Sequence, residues 1–220
     1  MGGGLSATWL QPMNPWLEIE LTDYESHMAL SSIGQAQFLS GVFAQAVQIY
    51  SPKSVAILGC SGGNGLEAIS NSGVERVVCV DINSEYIATA KKRFSGSFNQ
   101  CEFLCFDILS SSFSFNPVDL IFAGLIFEYV DYNSALANIS KVIKPTGCLV
   151  VVLQLPNEEI PEISPSKYTS LNKLSGIFNF VPPLSLQEAA KNYGLEIIES
   201  KQITLKSGKS FQEMVFLKTA

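Results

Sequence analysis

Apolar positions along the chain follow two different periods. Between Trp16 and Tyr50 they recur at helical separations: Met28, Ile33, Phe38, Leu39, Val42, Phe43, Val47 and Ile49 can line one side of helices, and Ser51-Pro52 ends the run. Beyond it, short unbroken apolar runs alternate with amphipathic stretches. Val55-Ala-Ile-Leu58, Val77-Val-Cys-Val80 and residues 102–106, 118–122 and 148–153 read as buried strands, and residues 84–94 and 133–143 as helices. This alternation predicts a parallel sheet with right-handed crossovers. Residues 184–193 predict a further helix stopped by Gly194, and residues 195–205 and 211–217 a terminal strand pair turning at Lys206-Ser-Gly-Lys209. The expected fold class is α/β: a doubly wound, mostly parallel sheet of seven strands, six parallel and the last antiparallel, preceded by N-terminal helices.

Two stretches stand outside this pattern. Met1-Gly-Gly-Gly4 looks like a flexible tail. Between Pro156 and Pro183, five prolines at 156, 161, 165, 182 and 183 punctuate a segment too apolar in its middle to be a linker, which fits a lid or substrate-binding insertion. The expected organisation is an N-terminal helical cap over residues 1–50 and a cofactor-binding domain over residues 51–220, with 156–183 as the insertion. Within that insertion, Ser164-Pro-Ser-Lys-Tyr-Thr169 is either an ordinary loop or a contact for a polar acceptor or carboxylate.

Composition narrows the function classes. Apolar residues make up 47% of the 220 and charged ones 15%, so the chain can bury a sizeable core. A formal charge of −6 gives no electrostatic footprint for nucleic acid, which needs clustered Lys and Arg. The five cysteines (60, 79, 101, 105 and 148) form no CxxC pair and sit in or beside predicted strands, as reduced core residues do. With one histidine in the chain, no metal site is expected. No apolar run approaches a membrane-spanning length and no leader-like start is present, so no membrane partner and a cytoplasmic location are expected.

The chemistry centres on Leu58-Gly-Cys-Ser-Gly-Gly-Asn-Gly-Leu66, a glycine-rich turn that follows a buried strand and opens a helical stretch. Such a turn lets backbone approach a nucleoside cofactor while the helix start presents unpaired N–H groups. Two later acidic residues sharpen it. Asp81 closes the second strand, 22 residues beyond Gly59, where a carboxylate accepts hydrogen bonds from ribose hydroxyls, and Asp107 closes the third. A nicotinamide cofactor fits less well: Gly63-Asn-Gly-Leu-Glu-Ala68 satisfies GxGxxA but begins four residues after Gly59, and Asp107 has no task.

On these residues, and on Asp119-Leu-Ile-Phe-Ala-Gly-Leu-Ile-Phe-Glu-Tyr-Val-Asp131 followed by Lys144-Pro-Thr-Gly147, the chain resembles the class I S-adenosylmethionine-dependent methyltransferases over residues 53 to 155. The resemblance implies methyl transfer from S-adenosyl-L-methionine to a small or medium-sized molecule, with S-adenosyl-L-homocysteine as product. It places the methionine end of the cofactor on the loop, through Gly59, Cys60, Ser61, Gly63 and Asn64, and the ribose on Asp81. Asp107 then meets the adenine amino group, Ile82 and Ile108 flank the ring, and Gly124 and Leu125 follow the fourth strand. Two positions depart from the family: Ile57 stands where an acidic residue is usual, so Glu128, a backbone carbonyl or the N-terminal helix must receive the cofactor's amino group. Ser61 stands where glycine is preferred, with Gly62 and Gly63 expected to take up the turn.

A general base is optional for this chemistry, because alignment alone supplies roughly 7 to 11 kcal/mol. The candidates are His27, with a surface or packing role as its alternative, and Glu128, which follows the fourth strand and is otherwise solvated polarity. Tyr24 lies three residues before His27 and shares its helical side, facing the cofactor or substrate. Tyr129, Asp131, Trp9 and Trp16 are candidates for packing or for pocket walls. The competing functional class is a cofactor-binding subunit or regulator that has lost catalysis.

Overall fold

The computed structural model describes residues 14–219; Trp9 and the glycine-rich start lie outside them. Its seven strands are β1 (Ser54–Leu58), β2 (Arg76–Asp81), β3 (Gln100–Cys105), β4 (Val118–Gly124), β5 (Ile143–Gln154), β6 (Leu195–Thr204) and β7 (Ser210–Lys218), and its helices α1 (Leu21–Ala29), α2 (Gln35–Tyr50), α3 (Leu66–Ile69), α4 (Ser84–Phe94), α5 (Tyr132–Val142) and α6 (Pro183–Lys191). The strands form one sheet in the order β3-β2-β1-β4-β5-β7-β6. β1 to β5 pair in parallel, whereas β7 runs antiparallel to both β5 and β6. The sheet is therefore mixed, with one strand opposing the other six.

The unbroken apolar runs exist because both sheet faces are buried. Val55 and Ile57, with Val77, Cys79, Leu120, Phe122, Val150 and Val152, face α2, α3 and α4 through Val42, Phe43, Val47, Leu66, Ile69, Ile87 and Phe94. Ala56 and Leu58, with Val78, Val80, Ile121, Ala123, Val151 and Leu153, face α5 and α6 through Leu136, Ile139, Val142, Leu186 and Ala190. Each fully buried Val, Leu, Ile or Phe contributes roughly 1.5–3 kcal/mol, so the two layers fix the register of the strands.

Two boundaries differ from those the pattern predicts. The helix after the glycine loop is a single turn, because Ser70-Asn71-Ser72 and left-handed Gly73 (φ 83°) follow it. β5 begins at Ile143, five residues before the expected start. Val118 opposes Ile143 and Leu120 opposes Cys148, so Lys144 to Gly147 bulge from the ladder, which resumes at Cys148. Only glycine fits at 147, where a Cβ would lie 2.9 Å from the backbone oxygens of Asp119 and Lys144.

The strand order reverses between β1 and β4: the chain runs outward from β1 through β2 to β3, then returns to the other side of β1 at β4. Helices diverge there and leave a crevice at the carboxyl ends of the strands. Two elements cover it. The N-terminal 3-10 turn Pro15–Glu18 and α1 lie on one side, and the 156–183 insertion, with its 3-10 segment Thr169–Gly176, on the other. They meet in a small apolar cluster of Ile19, Leu171 and Leu174, against which Trp16, Tyr24, Tyr129 and Tyr168 pack.

Candidate functional site

The glycine loop is anchored by backbone first. The N–H groups of Gly59 and Cys60 donate to the Val80 carbonyl at 2.9 and 3.0 Å, folding the loop against the end of β2. Ser61 then donates its N–H to Asp81 Oδ2 at 2.8 Å, while Asp81 Oδ1 accepts from Asn83 N at 2.9 Å. Ser61 itself adopts the left-handed region (φ 52°) and shares the turn with Gly63 (φ 92°), so the expected glycine takes up only part of it; the bond to Asp81 holds the strained residue in place. Burial raises the Asp81 pKa, and the backbone N–H groups of Asn83 and Ser61 pull it down.

Asn83 and Tyr86 clamp the N-terminal segment over the crevice. Asn83 Oδ1 caps α4 by accepting from Glu85 N and Tyr86 N, its Nδ2 donates to the Trp16 carbonyl at 3.0 Å, and Tyr86 Oη donates to the Ile19 carbonyl at 2.8 Å. Arg93 ties α4 to α1 by a two-pronged ion pair with Glu25 at 2.6 and 3.0 Å and donates to the Gly62 carbonyl at 3.1 Å. Trp16 meets Tyr24 and Tyr129 edge-on, with ring centroids 5.4 and 5.1 Å apart.

Beneath these rings lies a cleft of about 740 Å³, its solvent-open mouth included. Of the residues expected at a cofactor, Tyr24, Gly59, Ser61, Asp81, Ile82, Asp107, Ile108, Gly124 and Leu125 line it. Cys60 and Asn64 line instead a smaller hollow between the loop and α2, with Ser40 and Phe43. Gly63 lines neither: its missing Cβ points at the Phe94 ring, 2.5 Å away, so glycine is required there for packing of the loop on α4. Ile57 is buried in the core towards α2, and no carboxylate replaces it there.

A second chamber, with about 430 Å³ of empty volume, adjoins the cleft and shares Trp16, Tyr24, Leu125 and Tyr129 with it. His27, Gln35, Gln154, Glu162, Ser164 and Lys209 supply its polar lining. His27 is buried, and its Nδ1 lies 2.9 Å from Ser166 Oγ, which also accepts from Tyr168 N. Burial and the nearby Lys209 charge lower the His27 pKa, which keeps the imidazole neutral at physiological pH.

Glu128 is not brought to either cavity. It is fully buried, Oε1 accepts the Gln154 N–H at 2.7 Å, and its own carbonyl accepts from Asn179 N at 2.8 Å. Burial pushes its carboxyl up to about 7, and Oε2 has no partner among the described residues. Buried on the Gln154 N–H, it supports Gln154, which departs from its expected roles as a catalytic base, as solvated polarity or as a receptor for the cofactor's amino group.

Sequence reasoning missed Lys209, Gln154, Gln35 and Tyr86. Gln154 carries a usable signal, a polar residue closing the most apolar strand at its carboxyl end. Lys209 carries none, since it lies in a turn that reads as solvated until the insertion folds over it. No metal-binding group of three or more His, Cys, Asp or Glu occurs among the described residues, and among them no helix is long and apolar enough to cross a membrane.

Residues 57–151, which hold the loop, Asp81, Asp107 and β4, match the model of the methyltransferase domain family. No curated protein matches the chain. Several solved structures share its fold at low identity. The N-methyltransferase NodS from Bradyrhizobium japonicum in complex with S-adenosyl-L-homocysteine is 16% identical, with a TM-score of 0.64 over 90% of this chain and 100% of that one. Magnesium protoporphyrin IX methyltransferase from Synechocystis, also with bound S-adenosylhomocysteine, is 14% identical, with a TM-score of 0.64 over 85% and 84%. The [4+2]-cyclase SpnF is 14% identical, with a TM-score of 0.65 over 83% and 81%, so the fold by itself does not choose the chemistry. The family match falls on the residues that build the cleft, so residues 57–151 carry the sequence pattern of a methyltransferase domain on a fold shared with S-adenosylmethionine-dependent methyltransferases.

Proposed function

We propose that the protein transfers a methyl group from S-adenosylmethionine, held in the cleft, to a small or medium-sized molecule held in the second chamber. The observation that carries this is Asp81. Each of its oxygens accepts one backbone N–H and retains a free lone pair, while the residue lines the cleft, a donor set suited to two ribose hydroxyls. Asp107 lines the cleft one strand further on, where its Oδ1 accepts from Leu109 N at 2.8 Å and Oδ2 is left for the adenine amino group. Ile82 and Ile108 provide apolar walls for the ring. Gly59 and Ser61 present the loop backbone to the methionine end, and the buried Ser61 hydroxyl, without a partner among the described residues, suits a polar group of the same ligand.

When bound, the cofactor supplies a methyl group already activated by its sulfonium. The chain's part is to align, dry and deprotonate. Trp16, Tyr24, Leu125 and Tyr129 form the common wall past which the acceptor would meet the methyl group. The half-buried aromatic rings there shield the junction from water, and alignment supplies roughly 7 to 11 kcal/mol. His27, neutral and steadied by Ser166, would take the proton that the acceptor's nucleophile releases. A site of two adjoining chambers suits a small acceptor, and the acidic chain with five unpaired cysteines suits the cytoplasm.

Calorimetric titration with S-adenosylhomocysteine tests the site. Asp81→Ala is expected to weaken binding at least a hundredfold, and an unchanged affinity overturns the assignment. Methyl transfer to members of a small-molecule panel is expected. Tight cofactor binding with no turnover across that panel would favour a non-catalytic subunit instead.

A further inference from the structure

The second chamber holds an ammonium group whose cost the fold does not explain. Lys209 is 3% exposed, and among the described residues no carboxylate lies within ion-pair distance of its Nζ. Nζ donates to the backbone carbonyl of Glu162 at 2.6 Å and to Gln154 Oε1 at 3.3 Å. Both acceptors are neutral, and an ammonium has three donors, so one N–H and the net charge are left over. A buried charge without a counter-ion is destabilising by several kcal/mol, and a hydrophobic residue would serve a purely structural role better.

The surroundings point the same way. Gln35 Nε2 donates to Gln154 Oε1 at 3.4 Å, and Gln154 Nε2 donates to the Glu162 carbonyl at 3.0 Å, so the amides are locked in a network that orients the lysine. Glu128, through the Gln154 N–H, fixes the other end of that network. The Glu162 side chain is partly exposed and its carboxylate stays outside ion-pair range of Nζ, so its charge steadies the ammonium only from a distance. Apart from Ser164, the remaining walls are apolar: Met28, Ile163, Leu171, Leu174 and Phe178. The imidazole of His27 adds no second positive charge. Among the described residues Lys209 is the one cation of the lining, and with the Glu162 carboxylate beyond ion-pair range its Nζ is left to meet one negative charge of a ligand.

We propose that the second chamber is an anion subsite in which Lys209 receives a carboxylate of the methyl acceptor, with the acceptor's apolar body against Met28, Leu171 and Phe178. This rests on the assignment of that chamber to the acceptor. The single charge selects a carboxylate over a dianionic phosphate, and the position of Lys209 at the chamber end, with Trp16 and Tyr24 at its junction with the cleft, sets which part of the acceptor faces the methyl group.

The test uses the full chain saturated with S-adenosylhomocysteine, titrated calorimetrically with benzoate, benzamide, benzylamine and phenyl phosphate. Benzoate is expected to bind at least tenfold more tightly than benzamide, with benzylamine and phenyl phosphate weaker than benzoate. Lys209→Met should remove at least tenfold of the benzoate affinity, Lys209→Arg should restore most of it, and both should bind S-adenosylhomocysteine within twofold of wild type. Benzoate no better than benzamide, no benzoate binding at millimolar concentration, preference for phenyl phosphate, or equal benzoate affinity in Lys209→Met would each overturn the proposal. The comparison of probes on the wild-type protein stands even where the variant fails to fold. Failure of the cofactor assignment is seen separately, as loss of S-adenosylhomocysteine binding by the wild type.

Discussion

The two cavities meet at Trp16, Tyr24, Leu125 and Tyr129, yet they are built differently. The cleft is made by strand ends and the turns that follow them: Gly59 after β1, Asp81 at the end of β2, Asp107 after β3 and Gly124 at the end of β4. Its polar groups are set by backbone bonds a few residues from the sheet. The second chamber is assembled from side chains of α1, α2, the end of β5, the insertion and the β6–β7 turn, joined by Gln35–Gln154, His27–Ser166 and Lys209–Glu162 contacts that span up to 139 residues. A site built from one repeating unit can host a common cofactor, whereas a site built from distant side chains can be changed without disturbing the sheet.

Asp81 is where that contrast can be broken most forcefully. Asp81→Ala removes the acceptor of the Ser61 and Asn83 N–H groups as well as a ligand contact. Each bond to a charged group is worth about 1.5–3 kcal/mol, so the expected loss of stability is on the order of 3–5 kcal/mol, read as a fall in Tm without ligand. A variant with lost cofactor affinity and intact Tm would mean that the loop holds its own shape and that the carboxylate serves the ligand alone.

Glu128 makes the next largest test, on the side of the second chamber. Its folded carboxyl titrates near 7 against 4.5 for the free group, because it is buried. The folded state therefore holds the proton more tightly. The associated stability is fully present below about 4.5 and is lost as pH rises to about 7, by about 3 kcal/mol at most. Glu128→Gln keeps an acceptor for Gln154 N and carries no charge, so its Tm should stay level between pH 5 and 8 while that of wild type falls. Parallel profiles for the two proteins would place the pH dependence elsewhere.

These differences also explain what the sequence disclosed. The strands were legible because both faces of the sheet are buried, and Ser84–Phe94 because Asn83 caps a clean amphipathic period. Asp81 and Asp107 were legible as acidic residues closing apolar runs. Glu128 was misplaced: a glutamate after β4 reads as solvated, and its burial depends on β5 and on Asn179 in the insertion, which local pattern does not contain. Lys209 was invisible for the same reason. Gly63 was assigned to the ligand, although its freedom is spent on the Phe94 ring. Gly63→Ala should accordingly cost about 1–3 kcal/mol by overpacking and by its φ of 92°, measured by urea unfolding. A variant as stable as wild type would show that Phe94 yields easily.

Ser61 gives the smallest expected effect and the finest discrimination. Its φ of 52° costs a non-glycine residue about 1 kcal/mol, and its buried hydroxyl adds the penalty of an unpartnered donor. Replacement by glycine removes both terms and adds roughly 0.5–1 kcal/mol of unfolded-chain entropy, so Ser61→Gly should stabilise the free protein slightly, by about 1 kcal/mol. The N–H that meets Asp81 is retained. If the loop acts through backbone alone, S-adenosylhomocysteine affinity in Ser61→Gly stays within twofold of wild type. A stabilised variant that binds at least tenfold less tightly would instead show that the hydroxyl is kept, at a cost to the empty protein, because it is a ligand contact, and the cleft would then depend on a side chain in the same way as the chamber beside it.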